Sequence, residues 1–155
     1  MRIFLFALPL LLAAPVHAGE ADWTARFDVC QADITSLDEM ASCIGSYTEA
    51  CSEERIRANQ DLADGACMAG EAALWDAKLN RTWGAVKERL ASDPAGMEAL
   101  RGAQKAWIGF RDAECAAMAA IWADNGTGAA EAATCQMRLT AERVITLQSL
   151  VEGND

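Results

Sequence analysis

Six cysteines in a chain with an export leader constrain this sequence more than any other feature. They are Cys30, Cys43, Cys51, Cys67, Cys115 and Cys135. An even number in an exported protein implies disulfides, because oxidising compartments form and keep them. No two have C-x-x-C spacing, so neither a zinc knuckle nor a thioredoxin-type redox centre is indicated. Six cysteines allow fifteen pairings, and the count alone selects none of them.

The leader has three parts. Arg2 gives a positive start, Ile3 to Ala14 an apolar run, and Val16-His17-Ala18 a cleavage signal before Gly19. The alternative is a membrane anchor, but a spanning helix needs about 20 apolar residues, and this run is shorter and broken by Pro9 and Pro15. No cysteine stands at the cleavage point, so a lipid-anchored form is not indicated, and no membrane insertion is expected after cleavage. Removing residues 1–18 leaves 137 of the 155, a size that suits one domain with one core. Losing Arg2 takes the formal charge from −10 to −11. That balance speaks against nucleic acid and anionic lipid and fits a cationic partner; solubility alone also accounts for it.

The single histidine, His17, falls in the leader. A mature chain without histidine lacks the commonest general base, the usual triad partner and the commonest zinc ligand. No cofactor or metal is expected, and the chain is read as a binding protein rather than an enzyme.

The fold class is all-α. Alternating apolar runs are absent and helical spacing recurs. Ala21 to Asp33 places Trp23, Phe27 and Cys30 on one face. Ser36-x-x-Glu39 is a capping box opening a helix that carries Met40, Cys43, Ile44, Tyr47 and Cys51 on one stripe. Ser52 to Gly65 is polar and weakly patterned and reads as a helix, a loop or both. Met68, Ala72, Trp75, Leu79, Trp83, Val86 and Leu90 mark the clearest helix, ending near Ser92. Asp93-Pro94 then caps a helix to about Ala123, and 124–128 is a turn by composition. A last helix from Ala129 to Val151 aligns Met137, Thr140, Val144, Leu147 and Val151. Cys115 and Cys135 lie ten residues either side of Asn125, so an antiparallel helix hairpin sets them face to face. The same neighbour logic, without a located turn, couples Cys30 with Cys43 and Cys51 with Cys67.

Two polar residues break the apolar pattern. Gln104 and Arg111 share a stripe with Leu100, Trp107, Cys115 and Met118. A buried guanidinium needs a partner, and Asp76 and Asn80, one turn apart on the preceding helix, are the candidates; Arg143 beside Thr140 is a further charge. One reading makes these groups a network that fixes helix register, the other a groove that receives a partner. Asp112 and Glu114, the nearest carboxylate pair, read as solvated surface, and the tryptophans as core.

The runs Cys67-x-x-x-Glu71-x-x-x-Trp75-Asp76-x-x-Leu79-Asn80-x-x-Trp83, Leu100-Arg101-x-x-Gln104-x-x-Trp107-Ile108-x-Phe110-Arg111-Asp112-x-Glu114-Cys115 and Cys135-x-x-x-x-Thr140-x-x-Arg143-x-x-x-Leu147 resemble the LprI-like lysozyme-inhibitor family. The resemblance covers Cys67 to Leu150. It implies an exported, helical, cysteine-bridged module of residues 67–151, behind a cysteine-containing helical extension of residues 19–66. It also implies a protein partner, with a cationic lysozyme as the candidate. The chain lacks the namesake's lipobox cysteine, which implies a free rather than tethered protein, and Trp83 stands where the family often has tyrosine. Arg55 and Arg57 are candidate groups for a lysozyme's paired carboxylates. Two other functions fit the residues: an assembly factor of the cell envelope, and a small carboxylate-dependent hydrolase.

Overall fold

A computed structural model describes residues 18–32, 34 and 36–152. The leader up to residue 17, and Asp33, lie outside the described residues. The elements are α1 (Ala18–Ala32), α2 (Leu37–Ser42), α3 (Ser46–Arg57), α4 (Ala66–Arg89), α5 (Pro94–Ile121) and α6 (Gly128–Glu152), with one 3-10 turn (Ala123–Asn125) before α6. Among the described residues there is no strand, and the fold is all-α.

Local chemistry sets several helix ends. Ser36 accepts from the Glu39 amide while the Glu39 side chain accepts from the Ser36 amide, the reciprocal pair that starts α2. Asp93 accepts from the Gly96 amide, and Pro94 fills the first turn of α5, where a missing N–H loses no hydrogen bond.

The stripe from Met40 to Cys51 is not one helix. It breaks at Cys43–Gly45, where Gly45 takes φ 102°, a left-handed conformation that residues with a Cβ rarely adopt. Its N–H bonds to the carboxylate of Glu71, not to a carbonyl four residues back. The undecided segment Ser52 to Gly65 divides. Its first half continues α3 to Arg57, and the rest is a loop held by Arg55, which bridges to Asp64 at 2.9 Å and to the Asp61 carbonyl. The loop ends on Gly65 at φ 70°, where a Cβ would stand 2.8 Å from Ala130 Cα, so α6 permits only glycine there.

Helix α6 is the centre of the bundle, packed most extensively on α4 and next on α5. The seam with α4 is the core: Trp75, Leu79 and Val86 meet Ala141, Val144 and Leu147, all buried. Burying one side chain of leucine size stabilises by about 1.5–3 kcal/mol, so this seam is a large contributor to the apolar stabilisation. Helices α1 and α3 pack on each other, and α3 on α4. Phe27 meets Trp75 edge to face at 5.1 Å, and Trp23 meets Tyr47 likewise at 5.8 Å.

Three disulfides staple neighbouring elements. Cys30–Cys43 ties α1 to the end of α2, Cys51–Cys67 ties α3 to α4, and Cys115–Cys135 ties α5 to α6 with 5.4 Å between their Cα atoms. Each restricts the unfolded chain, an effect of about 2–4 kcal/mol. Such bonds belong to an oxidising compartment, outside the cytosol. Among the described residues no helix is long and apolar enough to cross a membrane.

Candidate functional site

The polar residues of the bundle gather where α5 crosses α4 and α6. Trp107 is the centre. The guanidinium of Arg111, one turn along α5, sits 5.1 Å from its ring, and that of Arg143 on α6 sits 5.8 Å away. Both are cation–π distances. Arg143 Nε donates to Gln104 Oε1 at 2.8 Å, so the amide three residues before Trp107 fixes the second cation. Burial lowers the pKa of Arg143 from the ordinary arginine value. It stays a cation at any physiological pH.

Arg111 joins three helices. Its Nε and Nη2 donate to Asp112 Oδ1 at 3.0 and 2.9 Å, and its Nη1 donates to Thr140 Oγ1 of α6 at 3.4 Å. The same Nη1 lies 3.7 Å from Asp76 Oδ1 of α4. The side chain keeps 19% of its surface exposed, so it is half-buried rather than sealed in the core. Asn80 is not one of its partners. It donates instead to Asp76 Oδ2 at 3.2 Å, because one helical turn sets its amide over that carboxylate.

The network opens onto a hollow of about 310 Å³. Ala69, Ala72 and Ala73 of α4 leave the space, and Asp76, Arg111, Gln136 and Thr140 line its polar side. The side chains of Asp76 and Asp112 are 54% and 57% exposed. The result is a guanidinium held by packing, flanked by two carboxylates with open faces. That arrangement links α4, α5 and α6 and presents charged and hydrogen-bonding groups at the surface.

The other singled-out residues fall elsewhere. Trp75 and Leu79 are core, and Thr140 is buried with only its hydroxyl engaged at the site. Asp112 is exposed as a surface residue should be, whereas Glu114 is half-buried. Arg55 is committed to the 58–65 loop, and Arg57 pairs with Glu53 at 3.6 Å on the exposed face of α3.

One residue gained no role from the sequence. Glu71 is fully buried, and its carboxylate accepts from Gly45 N at 2.6 Å, Thr48 N at 2.8 Å and Trp75 Nε1 at 3.0 Å. It caps the start of α3 from another helix, placing negative charge where the orphan amides and the helix dipole favour it. The available signal was its spacing: Cys67, Glu71 and Trp75 fall on successive turns of the core stripe, where a carboxylate needs donors.

The fold and this cluster define a class, the small disulfide-stapled helical bundle with a tryptophan–arginine cluster across its long helices. The family model of the lysozyme inhibitor LprI matches residues 51–147. The chain belongs to that family, a family of inhibitors of an enzyme. No curated protein and no solved structure matches it.

Proposed function

We propose that this chain is an exported inhibitor that binds a cationic lysozyme. Its leader is cleaved before Gly19, releasing a free protein to the periplasm or the exterior. The observation that carries the reading is membership of the LprI family over residues 51–147. The charge distribution supports it. Residues 18–65 hold eleven carboxylates against three arginines, whereas residues 66–152 hold eleven against nine bases. A cationic protein is steered toward the α1–α3 end by that imbalance, with association that weakens as salt rises.

Within the bundle, the open carboxylates of Asp76 and Asp112, positioned by Arg111, are the proposed contacts for a lysine or arginine of the partner. The experiment is a cell-wall lysis assay, in which several lysozyme classes are titrated with the oxidised mature protein at low and moderate salt. Stoichiometric inhibition of at least one class, weakened by Asp76→Asn with Asp112→Asn, is the expected result. No inhibition of any class by folded protein would sink the reading and turn attention to the envelope-assembly role.

A further inference from the structure

A second polar hollow lies between α4 and α6, away from the Trp107 cluster. It encloses about 280 Å³ and is lined by Lys78, Arg81 and Thr82 of α4 and by Gln148, Val151 and Glu152 of α6. On α4 the spacing i, i+3, i+4 sets the three polar groups on one face.

Three observations set this hollow apart from ordinary solvated surface. First, neither Lys78 nor Arg81 forms an ion pair with any described residue, in a chain whose carboxylates outnumber its bases 23 to 13. Glu152, the acidic group on the rim, pairs with neither. Second, the ammonium is held in place, since Lys78 Nζ donates to the side-chain oxygen of Gln31 on α1. Burial, and then the charge of Arg81, push the Lys78 pKa below its ordinary 10.5. Third, Thr82 is only 8% exposed, lines the hollow, and has no hydrogen-bond partner among the described residues. Helical threonines commonly satisfy the hydroxyl on the carbonyl four residues back, as Thr134 does here on Ala130, and Thr82 does not.

An ammonium, a guanidinium, the Thr82 hydroxyl and the Gln148 amide therefore line one small space. We infer that this hollow is a binding site for a small, doubly charged oxyanion of the phosphate type. Two cations, Lys78 held by Gln31 and Arg81 on the exposed rim, match a double charge better than the single charge of a carboxylate, and the hydroxyl and amide supply neutral donors for the remaining oxygens. The net charge of the chain disfavours anionic membranes and long polyanions, which leaves a soluble monoester or free phosphate as the occupant.

The test is calorimetric titration of the oxidised mature protein with inorganic phosphate, with acetate as the singly charged comparison. The expected result is saturable one-to-one binding of phosphate, weaker by about tenfold or more in Arg81→Ala. Arg89→Ala, which removes an exposed cation of the same helix outside the hollow, should leave the affinity unchanged. Thr82→Val tests placement without altering charge. It should weaken phosphate binding several-fold while the melting temperature holds or rises, because the hydroxyl it removes has no hydrogen-bond partner among the described residues. Absence of saturable binding, equal loss in Arg81→Ala and Arg89→Ala, or acetate binding as tightly as phosphate would overturn the assignment.

Discussion

Glu71→Gln probes the least conspicuous joint of the fold. The substitution keeps the volume and removes the charge. In the native protein Oε1 serves Gly45 N and Trp75 Nε1, and Oε2 serves Thr48 N. An amide sets its own N–H₂ against Thr48 N in one orientation and against both Gly45 N and Trp75 Nε1 in the other. In the less costly first orientation one hydrogen bond is lost with its donor left unsatisfied, about 1–3 kcal/mol, and the other two lose their charge assistance, about 0.5–1 kcal/mol each. The relief of an uncharged side chain in a buried site offsets part of this, which leaves about 3 kcal/mol of destabilisation. For a domain of this size that corresponds to roughly a 10 °C fall in melting temperature. Thermal unfolding followed by circular dichroism reads the total, and hydrogen exchange reads its location, since the Gly45 and Thr48 amides should lose protection before those of α4. A fall of less than about 2 °C, with both amides still protected, would refute the idea that Glu71 holds the start of α3.

Other perturbations have defined outcomes. Arg111→Ala removes contacts with three helices and the Trp107 ring from a half-buried site, and should cost about 1–2 kcal/mol in urea unfolding; a change within 0.5 kcal/mol would make the cluster a surface ornament. Replacing Cys115 and Cys135 together by serine should lower stability by about 2–4 kcal/mol and loosen the α5–α6 hairpin, and an unchanged urea midpoint would contradict it. Asp64 titrates below its ordinary 3.8, first through its hydrogen bond with Arg55, then through the Ala66 amide. Its folded pKa is lowered, so its contribution is present above 3.8 and is lost as pH falls through the lowered value. Asp64→Asn should therefore flatten the acid limb of a stability–pH profile and leave the neutral region's slope unchanged; an unaltered acid limb would remove Asp64 from the linkage.

Local chemistry was legible and distant chemistry was not. The ends of α2 and α5 could be read because Ser36 and Asp93 cap amides three residues away, within reach of any short window. The all-α class followed from stripes such as Trp75–Leu79–Val86, whose spacing repeats the helical turn. The break at Gly45 was hidden because Met40, Cys43, Tyr47 and Cys51 keep that spacing across it, and what stabilises it, Glu71, lies 26 residues further on. The loop 58–65 gave no apolar pattern because its order comes from Arg55 with Asp64. At the site, the stripe of Gln104, Trp107 and Arg111 announced itself as polar groups on a buried face. The partner assignment went astray for Asn80, since spacing places a residue on a face without saying which neighbour its amide prefers. Nothing marked Thr82 in the sequence, as its lack of a partner is a property of packing.

The most direct test of lysozyme inhibition by this folded, oxidised chain is a calorimetric titration of the mature protein against a cationic lysozyme at low salt and at about 0.15 M. The account predicts saturable one-to-one binding whose affinity falls with salt. An absence of binding at low salt, where charge steering is strongest, would contradict it.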